Sequence, residues 1–102
     1  MGMNIVLEGE DAAPIQQVDD PKGLLYKVLP PYEDTTFFSL RFIDPYGDTI
    51  FNRLQMEPLL EEWQRVQADV VDPDAQRLMR EVERLARRCQ DEVHLYLRFQ
   101  GE

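Results

Sequence analysis

The chain has 102 residues, enough for one domain with a core of its own. At 43% hydrophobic and 30% charged residues, its composition is that of a folded globular protein, not a disordered one. A net charge of −9 repels a phosphate backbone, which argues against general nucleic-acid binding and leaves solubility, or a basic protein partner, as its use. The single cysteine, Cys89, excludes an internal disulfide. No apolar run approaches the roughly 20 residues of a membrane span. The start, MGMNIVLEGED, has neither a basic leader nor a long apolar region, so a cytoplasmic protein is expected. Nine of the eleven bases are Arg, which points to a GC-rich bacterial genome.

In chain order, Met3 to Leu7 reads as a short buried strand. Glu8 to Pro14 is a polar loop, and Ile15 to Val18 extends that loop or forms an edge strand. Asp20-Pro21 offers a cap followed by proline at the first helical position. Leu24, Leu25, Val28 and Leu29 follow at helical spacing, and Pro30-Pro31 stops the helix. Phe37 to Leu54 reads as a β-hairpin around Asp-Pro-Tyr-Gly-Asp. Its turn pairs Ile43 with Thr49. One face then carries Phe38, Leu40, Phe42, Ile50 and Leu54, and the other Ser39, Arg41, Thr49, Phe51 and Arg53. Asn52 falls on the apolar face, where its amide needs a partner near the start of the next helix.

Glu57-Pro58 opens that helix, with Leu59, Trp63, Val66 and Val70 on one face. Asp72-Pro73 opens another, with an apolar stripe of Ala75, Leu78, Met79, Val82, Leu85, Ala86 and Cys89. Arg77, Arg80, Arg84, Arg87 and Arg88 line its opposite face, where Glu81 and Glu83 stand at pairing distance. In the last segment Val93, Leu95, Leu97 and Phe99 alternate with His94, Tyr96 and Arg98.

The predicted order is β-α-β-β-α-α-β in a single domain spanning residues 1–102. A four-stranded, mainly antiparallel sheet with helices packed on one face would bury every apolar stripe. The split-βαβ topology of the ferredoxin-like fold is the arrangement to test.

The sheet face turned away from the helices is the candidate functional surface. It would gather Arg41, Phe51, Arg53, His94, Tyr96 and Arg98, with Arg41 opposite Phe51. Aromatic and arginine side chains are the types enriched in binding hot spots. No nucleophile elbow, phosphate-cradling glycine loop or zinc spacing occurs, and His94 is the lone histidine. No catalytic constellation, cofactor or metal is therefore expected. Cys89 reads as a buried, inert thiol. The expected function is a non-enzymatic interaction or regulatory module, of inhibitor or immunity type, that meets a protein partner or a second copy of itself. The alternative is a small anionic ligand, or a small enzyme, on the same face, with Arg41 and Arg98 as clamps and His94 and Tyr96 as hydrogen-bonding groups.

Overall fold

Side chains of Asp20, Asn52 and Asp72 take over free N–H groups where the chain turns into helix. The computed structural model describes residues 2–102. Its regular elements are β1 (Met3–Glu8), β2 (Pro14–Asp20), α1 (Leu24–Val28), β3 (Asp48–Asn52), α2 (Met56–Asp69), α3 (Pro73–Asp91) and β4 (Tyr96–Gln100). Asp72 caps α3 by accepting the N–H of Ala75 at 2.9 Å, and Pro73 takes a first-turn position that needs no donor. Buried Asp20 accepts from the N–H groups of Leu24 and Leu25, each at 2.9 Å. The chain reaches α1 from Asp20 through Gly23, whose φ of 67° is the left-handed conformation that glycine adopts without strain. Asn52 and Gln55 form a reciprocal capping box on the 3-10 turn Arg53–Gln55 that leads into α2. The expected backbone partner of Asn52 is there, but the amide is exposed rather than buried.

The four strands form one sheet in the order β2-β1-β4-β3, with every neighbouring pair antiparallel. Three helices pack against it, as the apolar stripes require. The element order differs from the expected one. Pro14–Asp20 is a full edge strand hairpinned to β1, so two strands precede α1. A split-βαβ unit would place one strand between two parallel strands joined by a helix; here β3 and β4, joined by α2 and α3, are antiparallel neighbours, and β2 and β3, joined by α1, are the two edges of the sheet.

The predicted Phe37–Leu54 hairpin does not form. Of its two arms only Asp48–Asn52 is a strand, and it pairs with β4. The first arm instead holds the 3-10 turn Leu40–Phe42. Leu40 and Ile43, three residues apart, are both buried, a spacing that suits a helical turn and not a strand. The tight turn itself survives. Gly47 N–H reaches Asp44 O, and the Asp44 side chain accepts from Tyr46 N–H. Even the expected neighbourhood of Thr49 is kept, but through its side chain: Oγ1 accepts from Asp44 N–H at 2.9 Å and lies 3.4 Å from Phe42 O.

Because β4, not residues 37–43, sets the register, the faces of β3 are reversed. Phe51 lies opposite Leu97 and points into the core, only 4% exposed, while Ile50 lies opposite Arg98 on the outer face. Leu54 is exposed. The core closes around Trp63, fully buried on α2, whose indole N–H donates to Met79 O on α3 at 2.9 Å. The Trp63 ring lies 6.2 Å from Phe99, and Phe99 meets Phe51 edge-to-face at 5.8 Å. Trp63→Ala should cost about 3–5 kcal/mol of stability, the usual range for truncating a buried aromatic. Denaturant unfolding followed by far-UV circular dichroism would show it as a lowered midpoint.

Candidate functional site

The six residues expected on one sheet face lie in separate places. Phe51 is in the core. Arg53 is exposed in the 3-10 turn ahead of α2. His94, at φ 66°, stands just before β4 and pairs with Glu10 at the exposed end of the β1–β2 hairpin. Arg41 sits in the Leu40–Phe42 turn, away from the sheet ladder. Of the six, only Tyr96 and Arg98 share the outer face of β4, each opposite an outward residue of β1 and β3.

Arg98 is already fully engaged. Its Nε and Nη2 contact both oxygens of buried Glu8 at 2.9–3.1 Å, and its Nη1 holds Asp48 at 2.8 Å. These bonds, the one to Glu8 first, hold the guanidinium more firmly protonated than an ordinary arginine. The triad bridges β1, β4 and β3. A buried carboxylate needs such a partner, so Arg98 serves the sheet and is not a free anion clamp. On α3, Arg77 pairs with Asp74, Arg87 with Glu83 and Arg88 with Glu92, along the solvated face that the sequence suggests.

The unusual surface is elsewhere, on residues 29–47 between α1 and β3. A connection of this length without strand or α-helix is uncommon in a small domain unless it has work to do. It is held at many points. Buried Glu62 on α2 accepts the backbone N–H groups of Phe38, Ser39 and Leu40 at 3.0–3.1 Å. Arg65 donates to Thr36 O and stacks 4.3 Å from the Phe37 ring centre. The Arg41 Nε donates to Tyr32 O at 2.7 Å, and its guanidinium lies over the rings of Tyr32 and Phe42, at 4.2 and 4.9 Å. Tyr26 Oη lies 3.0 Å from Pro45 O, and Glu102 N–H donates to the same carbonyl. Burial, chiefly, raises the Tyr26 phenol above its ordinary pKa, keeping it a neutral donor.

This anchored loop turns its aromatic residues outward. Phe38 is 78% exposed and Tyr46 74%, and Tyr32 and Phe42 are also more exposed than buried. Below Tyr32 and Arg41 runs a cleft of about 330 Å³ floored by Met3, Leu29 and Ile43, with Glu33 at its rim. A second cleft, of about 500 Å³, separates the other side of the loop from the end of α2, between Phe37, Arg65, Val66 and Val70. Sequence reasoning missed this surface because it assigned the segment to a strand. The signal was Glu62. It falls between Leu59, Trp63 and Val66 on the inward stripe of α2, where an acid requires buried donors.

Cys89 is fully buried, and desolvation pushes its thiol up to about 11, so it is a poor nucleophile. Among the described residues, no three His, Cys, Asp or Glu side chains gather as they would around a metal ion, and no helix is long and apolar enough to cross a membrane. Comparison of the chain with models of known families, with characterised proteins and with solved structures returned no match.

Two outcomes follow from the loop's anchors. Glu62→Ala removes the shared acceptor of three N–H groups and should cost about 2–3 kcal/mol, the scale for hydrogen bonds to a charged group. In hydrogen exchange the amides of Phe38, Ser39 and Leu40 should lose protection while those of β1 and β4 keep theirs. Asp34 accepts from both the hydroxyl and the N–H of Thr36, which lower its pKa below the ordinary 3.8. Its support of the loop is therefore present above the ordinary carboxylate range and is lost as pH falls through the lowered value. An NMR titration should place the Asp34 midpoint below 3.8. A midpoint at or above that value would remove this anchor.

Proposed function

We propose that the protein is a non-enzymatic interaction module that presents the loop of residues 30–46 to another protein. One observation carries this reading: large aromatic side chains stand mostly in water on a loop whose backbone is otherwise tightly held. Exposing such rings gives up burial free energy, at roughly 25 cal/mol per Å² of apolar surface. Tyr32 and Phe42 meet edge-to-face at 5.8 Å, and exposed apolar surface of this kind on a small protein marks a contact site. The anchors at Glu62, Arg65, Arg41 and Tyr26 settle the ordering cost before any partner arrives, so more of the contact energy appears as affinity. Tyr and Arg are also the residue types that dominate binding hot spots.

The chemistry at hand supports binding over catalysis. The thiol is buried, and the lone histidine stands exposed beside Glu10 and lines neither cleft. A second reading has its own support. Arg41 lines the 330 Å³ cleft over an apolar floor, which suits a small ligand bearing a carboxylate. In that reading Arg41 is the clamp, and Arg98, tied to Glu8 and Asp48, has no part.

The test compares wild type with a Phe38→Ser/Tyr46→Ser variant that matches it in circular dichroism. Each is used as bait in lysate of the source cells, and any captured protein is then purified and titrated. A partner whose affinity falls at least tenfold with the variant is the expected result. Capture that ignores both rings would sink the loop as the contact surface. A melting point raised by small carboxylates in wild type, but not in Arg41→Ala, would move the assignment to the cleft.

A further inference from the structure

The partner's chemistry can be read from what the loop already binds within its own chain. Two of its aromatic surfaces carry guanidinium groups: Arg41 over Tyr32 and Phe42, and Arg65 over Phe37. The two most exposed rings of the loop, Phe38 and Tyr46, have no cation over them among the described residues. The chain around them is rich in acids. Glu33 and Asp44 stand on the loop. Glu57 and Glu61 are exposed on α2, the helix whose Glu62 holds the Phe38 backbone. Glu102 is joined through its backbone to Pro45, next to Tyr46. The nearby bases Arg41 and Arg65 are committed to rings and carbonyl oxygens. A ring face attracts a cation, adjacent carboxylates add to that attraction, and the net charge of −9 steers a basic partner toward the molecule.

We infer that the occupant of this surface is an arginine-rich segment of a partner protein, whose guanidinium groups stack on Phe38 and Tyr46 and pair with the acids around them. The inference rests on the interaction-module reading and adds the partner's chemistry. Arginine fits better than lysine because its flat, weakly hydrated guanidinium can stack on a ring and still donate in its plane to a carboxylate. Arg41 shows the stacking half of this within the chain, lying over Tyr32 while its Nε donates to the Tyr32 backbone carbonyl. A second copy of the chain is the less favoured occupant, because two molecules of charge −9 repel.

The test uses a nine-residue peptide of alternating arginine and leucine, with lysine–leucine and glutamate–leucine peptides as controls, titrated into the 15N-labelled protein. The arginine peptide should move amide signals of residues 32–47 and the first turns of α2, and bind at least threefold tighter than the lysine peptide. Phe38→Leu/Tyr46→Leu, which keeps the charge and an apolar side chain but removes both rings, should weaken it tenfold or more. Equal affinity for arginine and lysine peptides, shifts centred on Asp11 and Asp19 instead of the loop, or no binding at millimolar peptide would each overturn the inference. So would preference for the glutamate peptide, or a concentration-dependent dimer in sedimentation that buries the loop. The capture test above stands apart. A partner that needs Phe38 and Tyr46 but binds without arginine would leave the module reading in place and defeat only this extension.

Discussion

The carboxylate of Glu62 is the constraint around which the loop between α1 and β3 is arranged. It sits on the inward side of α2, where water cannot solvate it, so it must be met by donors from the protein. The donors are three successive backbone N–H groups, of Phe38, Ser39 and Leu40. Taking them bends the chain into a 3-10 turn and removes them from any sheet ladder. Leu40 and Ile43 then fall into the core, and Phe38 and Phe42 are left outside. One acid thus decides both that residues 37–43 are not a strand and which of their side chains face solvent.

The opposite end of the design is the sheet, where Arg98 does for Glu8 what the loop amides do for Glu62. It neutralises a buried acid, and by also holding Asp48 it ties edge strand β3 to the central pair. The two carboxylates explain how an acidic protein keeps charge inside without loss of order. Each is met by several donors in fixed positions, which is the condition under which buried charge is tolerated. The remaining acids lie at the surface or cap helices, as Asp20 and Asp72 do.

Periodicity revealed α2, α3 and β4 because each of their patterns has a single physical cause. The stripes of Leu59–Trp63–Val66 and Ala75–Cys89 meet one core, and Leu95, Leu97 and Phe99 meet it from the sheet, while Val93, expected on the same face, precedes the strand and is exposed. Asp72-Pro73 marked its helix start for a local reason, a cap that needs only the next three residues. The candidate site was not readable in the same way. The residues Asp44–Gly47 suit a tight turn and make one, yet the strand expected before it was lost to Glu62, a residue far along the chain, so no hairpin forms. With the hairpin went the register, and with the register the face of Phe51. Arg41 and Arg98 stand out in the sequence as arginines in an acidic chain, but they do not share a face. The partners that occupy them, Tyr32 with Phe42 and Glu8 with Asp48, come from three-dimensional neighbours that spacing cannot reveal.

The position of β4 has a kinetic consequence. It is the last strand in the chain but lies between β1 and β3, which do not touch each other in the ladder. The bond from Arg98 to Glu8 spans 90 residues of sequence. Until β4 arrives, the β1–β2 hairpin is a two-stranded ribbon of marginal stability, and β3 has no strand to pair with. Closing so long a loop must precede the contacts that reward it, which slows folding. During synthesis the helices can assemble early, but the sheet, and with it the core beneath Phe99, closes only once the final strand has left the ribosome.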